Sequence, residues 1–379
     1  MHNHNHRNPL HCILPPHMLN NIATHGTEDQ KGLAINNLKA TERMRGQRRA
    51  MADFTAASFR IAAVGGGKER IVYDAKNGTT LPGTVVRNEG DPPSADVAVN
   101  EAYDGSGATY DLYKNIYGRD SIDNKGMRLD STVHYRKGYD NAFWDGQQMV
   151  YGDGDGDLFN RFTIAIDVMG HELTHGVTQF EAKLNYSQQS GALNESMSDV
   201  FGSLVKQYSL GQSATDADWL IGAGLLAAGV NGVALRSMKA PGTAYDDPVL
   251  GKDPQPAHMK DYVNTTSDNG GVHINSGIPN RAFYLIATQI GGNAWEKTGQ
   301  IWYATLRDKL TSSSNFQDCA NQTFQVAGAL FGAGSLEQQA VKTGWADVGI
   351  DVAGSGGDPT PPPSSPGCFG SMLKLIGAA

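Results

Sequence analysis

Ile166, Met169, Leu173 and Val177 recur at intervals of three and four residues. That spacing lines one side of an α-helix and fits no strand. On the same helix His171 and His175 fall four residues apart, so their imidazoles share a face, about 5–6 Å apart at Cβ. One zinc ion spans such a pair, and Glu172 between them can reach a water on an open metal position. Alone, so short a pattern also suits a helix with two surface histidines.

A second segment, Gly191 to Asp199, sets Glu195 and Asp199 four apart on another helix. One carboxylate can ligate a metal while the other buttresses a ligand imidazole. Ala192, Leu193, Met197, Val200 and Phe201 make this helix largely apolar, which argues against a merely solvated acidic face. In a third segment, Asp268 to Gly277, the glycines make a tight turn that presents His273, with Asp268 near enough to orient it.

The rest of the chain gives the setting. Its 379 residues are 39% hydrophobic and 18% charged, which suits a folded protein rather than a disordered one. A net charge of −8 argues against nucleic-acid partners. Cys12, Cys319 and Cys368 are too far apart for a metal pair or a disulfide framework. No run approaches the ~20 apolar residues of a membrane span, and the His/Asn-rich start is no signal peptide.

Four stretches differ in character: residues 1–60, polar, with Arg43, Arg45, Arg48 and Arg49 clustered on an expected helical face; residues 61–162, short strands and turns; residues 163–352, helical; and residues 353–379, a Gly/Pro/Ser-rich linker with a short tail. A β-rich lobe followed by a helical lobe is an α+β, bilobal architecture. At the Gly152 to Asp157 repeat, Leu158 stands where a calcium loop requires Gly and Ile164 where its Glu belongs, so the repeat reads as a tight hairpin turn.

The three segments, in this order and spacing, resemble the thermolysin family of zinc metallopeptidases. The likeness extends through Asn141 to Trp144, Met149 to Gly156 and Leu235 to Met238, over roughly residues 70–350. Ile13-Leu14-Pro15-Pro16, with Leu19 and Ile22, resembles the short prosegment of the protealysin subgroup.

The resemblance implies zinc on His171, His175 and Glu195, with Asp199 and Asn194 supporting the two imidazoles. It implies an endopeptidase in which Glu172 is the general base for a zinc-bound water. Tyr186 and His273 would stabilise the oxyanion, with Asp268 holding His273. Arg236 would bind a substrate carbonyl, and Asn141 and Ala142 the peptide backbone. Phe159, Phe162, Val168 and Leu235 would form an apolar pocket that selects Leu, Ile or Phe after the cut. Protein or peptide substrates are the expected partners, with residues 1–60 as a built-in inhibitor.

Some expectations depart from the family or rest on less. Calcium is a further family cofactor, but at its paired site Asp167 and Asp218 stand with Lys206, Leu220 and Ala223, too few carboxylates for a cation that wants six to eight oxygens. The Lys206 ammonium is expected to replace the calcium charge. Phe59 and Ile61 suit the apolar pocket and mark an expected activation cut. A Cys12 thiolate on the zinc is a lesser alternative for inhibition. Secretion by an unconventional route is favoured, with a cytoplasmic precursor as the alternative. Two rival functions are a catalytically dead partner-binding descendant and a zinc hydrolase of non-peptide amides.

Overall fold

The computed structural model describes residues 11–52 and 67–352. The His-rich start, Phe59 and Ile61, and the linker and tail after Val352 lie outside the described residues, as do the side chains of the Arg43 to Arg49 cluster. Among the described residues no helix is long and apolar enough to cross a membrane.

The described residues begin with strand β1 (His11–Cys12) and helices α1 (Pro16–His25) and α2 (Glu28–Ala52). The next lobe contains β2 (Arg70–Asp74), β3 (Thr84–Asn88), α3 (Val97–Tyr117), β4 (Leu129–Val133), β5 (Ala142–Trp144) and β6 (Gln148–Tyr151). The strands form one mixed sheet in the order β1-β5-β6-β4-β2-β3. Thus β1, from the start of the chain, adds antiparallel to β5, with His11 opposite Trp144 and Cys12 opposite Phe143.

Helix α3 is a departure from the strand-and-turn pattern expected before residue 162. Its 21 residues run from an Asp96 side chain that accepts from the Ala98 N–H to a left-handed Gly118, two ordinary helix boundaries. Small residues and tyrosines fill its buried face, including Ala98, Ala102, Gly105, Tyr110 and Tyr113. Those residues carry a weak hydropathy contrast, so the helical period is muted. The Gly152 to Asp157 segment also differs from expectation. Asp155 Oδ1 accepts from the N–H groups of Asp157, Leu158 and Phe159, making a turn. The chain leaving it forms an isolated bridge from Phe159 to Leu226 instead of a hairpin with β6.

The second lobe follows with α4 (Ile166–Phe180) and α5 (Gln188–Leu210). Short strands β7 (Leu220–Ile221), β8 (Arg236–Ser237), β9 (Asp246–Asp247) and β10 (Gly251–Lys252) come next. Helices α6 (Asp268–Asn275), α7 (Gly277–Ile290), α8 (Lys297–Asp308), α9 (Phe316–Phe331) and α10 (Leu336–Ala346) complete it. Helices α4 and α5 lie against each other, and Gly202 makes their close approach feasible: a Cβ there would come within 2.3 Å of the Asp167 carbonyl oxygen. This packing brings the two acidic and imidazole-bearing faces together. One continuous core joins β5, α4, α5 and α7 through Trp144, Leu173, Phe201 and Phe283, and Ile13 and Leu14 are buried in it.

Candidate active site

His171, His175 and Glu195 are all buried and offer ligand atoms within 4.8 Å of one another. His171 Nε2 lies 3.0 Å from His175 Nε2, and Glu195 oxygens lie 3.5 and 3.4 Å from the two nitrogens. Ligands about 2.0–2.1 Å from a tetrahedral zinc would be about 3.3 Å apart, so the separations fit. Glu195 Oε2 is buried and has no hydrogen-bond partner among the described residues, as expected of an oxygen reserved for a cation.

The outward nitrogens are already held. His171 Nδ1 lies 2.8 Å from Asp199 Oδ1, and His175 Nδ1 lies 2.8 Å from Asn194 Oδ1 and 3.0 Å from Ser198 Oγ. These partners fix the rings so that both Nε2 atoms face the same point. Asp199 is fully buried, which opposes its charge, yet the Arg236 guanidinium and His171 hold its carboxyl well below the usual range. Arg236 donates to it at 2.9 and 2.8 Å, and Asn280 adds a third donor at 2.8 Å.

Glu172 sits beside the cluster and accepts from the Trp144 N–H at 3.1 Å. Burial, then repulsion from Glu195, pushes its carboxyl well above the usual range. Tyr186 donates to Glu195 and lies 3.2 Å from His273 Nε2. Behind it, His273 Nδ1 lies 2.7 Å from Asp268 Oδ1. Burial opposes protonation of His273, but Asp268 and Glu195 raise its pKa. The turn that delivers this pair has left-handed Asn269, Gly270 and Gly271, at φ 51°, 90° and 76°, which accounts for the two glycines.

The N-terminal segment fills the cleft in front of these groups. Ile13 N–H donates to the Ala142 carbonyl at 3.3 Å, and Leu14 N–H to Asn141 Oδ1 at 3.0 Å. Arg236 donates to the Ile13 carbonyl at 3.1 Å, and His273 Nε2 lies 3.2 Å from the Cys12 carbonyl oxygen. Ile13 is fully buried in the core that includes Phe159, Phe162, Val168 and Leu235. The Cys12 side chain turns the other way, into a separate cluster with Tyr135, Tyr139 and Phe143. Its backbone, not its thiol, faces His273, so the thiolate alternative is set aside.

Sequence reading missed several participants. Ser198 was within reach of a periodicity argument, three residues past Glu195 on the same helix. Asn280 on Asp199, Gln255 donating to the His273 carbonyl at 2.8 Å, and His17 carried no local signal. They meet the site only through tertiary packing.

Away from the cleft, Lys206 Nζ lies 2.8 Å from Asp218 Oδ2 and 3.4 Å from Asp167 Oδ2. Leu220 and Ala223 supply no carboxylate there. Asp167 is buried, which raises its pKa, while Lys206 pulls it back. The ammonium sits between the two acids.

Comparison with known proteins agrees with this geometry. A family model described as thermolysin metallopeptidase, catalytic domain, matches residues 28–179, and one described as thermolysin metallopeptidase, alpha-helical domain, matches residues 182–350. An extracellular metalloprotease of Pectobacterium carotovorum subsp. carotovorum is 52% identical over 91% of this chain and 97% of its own. Protease PrtS of a Photorhabdus species is 50% identical over 90% and 92%. The solved precursor of protealysin from Serratia proteamaculans superposes with a TM-score of 0.80 at 56% identity, covering 90% of this chain and 99% of that one.

The fold and the His-His-Glu cluster therefore define a zinc metallopeptidase. The chain belongs to the thermolysin family, in its protealysin-like branch, with a mixed-sheet lobe and a helical lobe flanking the metal site. It is a hydrolase of peptide bonds.

Proposed function

We propose that the chain is the self-inhibited precursor of a neutral endopeptidase that cuts before apolar residues. The observation that carries this reading is the N-terminal strand itself: a stretch of backbone runs through the cleft, where the Cys12 and Ile13 carbonyls and the Ile13 and Leu14 N–H groups meet His273, Arg236, Ala142 and Asn141, groups expected to act on substrate. Substrate taken as an added strand on β5 would form the same backbone bonds.

Zinc held by His171, His175 and Glu195 would polarise the scissile carbonyl and acidify a water at neutral pH. Glu172 accepts that water's proton and delivers it to the departing amine. Tyr186 and His273 donate to the oxyanion, with Asp268 supporting His273. Arg236, Asn141 and Ala142 fix the peptide in register, and Phe159, Phe162, Val168 and Leu235 receive the side chain after the cut.

The proposed units are a prosegment over residues 1–60, lobes over 61–162 and 163–352, and a tail over 353–379. The similarity to extracellular proteases supports secretion, here proposed to follow an unconventional route. Casein digestion by the processed enzyme, abolished by a zinc chelator and by Glu172→Ala, tests the reading. Persistence of activity in either case overturns it. The rival of a dead descendant finds no support, because each expected catalytic group stands in the cleft.

A further inference from the structure

The strand in the cleft has a direction, and that direction has chemical consequences. The carbonyl of Cys12 faces His273 Nε2 at 3.2 Å, while the next carbonyl, of Ile13, faces Arg236 at 3.1 Å. Between these two carbonyls stands the Ile13 N–H, which donates to Ala142 and also reaches the Glu172 carboxylate. Thus one peptide bond has its oxygen on the side of the oxyanion donor and its nitrogen on the side of the proton carrier. That bond joins Cys12 to Ile13, and the Ile13 side chain is buried in the continuous core that also contains Phe159, Phe162, Val168 and Leu235. A strand laid in the reverse sense would present N–H groups where these carbonyls lie.

We infer that the Cys12–Ile13 peptide bond is itself a cleavage site, cut in cis by the chain's own active site. The inference rests on the peptidase reading above. Water adds its oxygen to the Cys12 carbonyl carbon, and Glu172 takes the proton. The C–N bond then breaks as Glu172 passes that proton to the Ile13 nitrogen. The products are a Cys12 carboxylate and an Ile13 ammonium, with one water consumed.

The cut does not free the whole cleft. Residues beyond Ile13 remain anchored by the Leu14 N–H on Asn141, by His17 on Tyr245 at 3.0 Å, by Asn21 on the Leu250 carbonyl at 2.9 Å and by Asn37 on Asp140 at 3.1 Å. Strand β1 lies wholly on the departing side. Residues 1–12 therefore leave with two strand pairings, and the half of the cleft that holds the substrate before its cut opens first. Activation becomes a two-stage event, in which this cut precedes removal of α1 and α2.

The test uses the full chain, purified with zinc and followed at neutral pH by intact mass and N-terminal sequencing. A product beginning at Ile13 is expected, at a rate independent of protein concentration. Glu172→Ala should slow it by at least about 10²-fold, and Ile13→Asp should abolish it. Hydrogen exchange supplies a readout apart from catalysis. After loss of residues 1–12 the amides of α1 should stay protected, because His17 on Tyr245 and Asn21 on the Leu250 carbonyl still anchor it. A chain that processes elsewhere and digests casein, yet keeps the Cys12–Ile13 bond, overturns the inference alone. A zinc-loaded chain with no peptidase activity overturns it together with the proposed function. A rate that rises with concentration removes the cis claim.

Discussion

Arg236 holds Asp199 through two parallel hydrogen bonds of 2.9 and 2.8 Å, both residues almost wholly shielded from water. The same guanidinium donates to Ile13 in the cleft, and the same carboxylate orients His171. In the proposed mechanism, metal support and peptide binding therefore share one ion pair. Asp199→Asn removes the charge but keeps an acceptor. It should weaken zinc binding about 10- to 100-fold and lower Tm, because Arg236 is left buried without its counterion. Chelator competition and thermal melts check both; unchanged zinc affinity would remove Asp199 from the support of the metal.

Docking of the N-terminal helices should depend on pH through two groups that oppose each other. His17, facing Tyr245, Asp268, His273 and Arg236, is driven down to about 4 by burial, and its Nδ1 has no hydrogen-bond partner among the described residues. The docked state thus disfavours the protonated ring, so the His17 contribution to docking is full above about 6.5 and is lost as pH falls towards 4. Asp140, facing Asn37 and Asp155, is pushed by burial up to about 8. Its docked form prefers the proton, so docking weakens as pH rises from about 4 through 8. In the Glu172→Ala precursor, exchange protection of α1 should lose its acid limb in His17→Gln and its alkaline limb in Asp140→Asn. Unaltered profiles would show that neither group senses the docked state.

Lys206 between Asp167 and Asp218 should make the helical lobe indifferent to calcium at this point. Lys206→Met leaves Asp167 buried beside Asp218 with no cation, at a cost of roughly 2 kcal/mol, below that of a fully buried pair because Asp218 is partly exposed. Calcium titration of the zinc-loaded protein by thermal melt checks the substitution. A large calcium stabilisation lost in Asp167→Ala or Asp218→Ala would mean that the ammonium does not replace the ion.

Specificity should follow the apolar pocket. The processed enzyme should prefer Leu, Ile or Phe over Ala after the cut by at least about tenfold, since each added methylene in such a pocket is worth roughly 1–3 kcal/mol. Val168→Phe should shift that preference towards small residues. A peptide-library digest reads both, and a charged preference in the unmodified enzyme would refute the pocket assignment.

Much of this molecule was legible before its coordinates, but unevenly. The apolar period through Leu173 and Val177 set α4, and with it the common face of His171 and His175. Gly270 and Gly271 announced the turn before His273. The failures have a common physical origin. Helix α3 hides its period in small residues and tyrosines that read alike on either face, and Asp155 closes a turn by side-chain capping where a hairpin was expected. Asn280, Gln255 and His17 reach the site across long sequence separations, which no local pattern records. The direction of the strand in the cleft was likewise beyond reach, because Cys12, Ile13 and Leu14 could be threaded past His273 and Arg236 either way until the backbone was placed.

The sheet carries a consequence of its own. While β1 is seated, the outer rim of β5 is a finished border. When β1 departs, that edge is open to strand pairing again, a feature that recruits extended chains, including other copies of the same protein. The capacity to seize unfolded polypeptide and the tendency to clump are thus one property of that rim. A molecule that travels with the rim already closed can be made and stored at high concentration, and becomes adhesive only where its work begins.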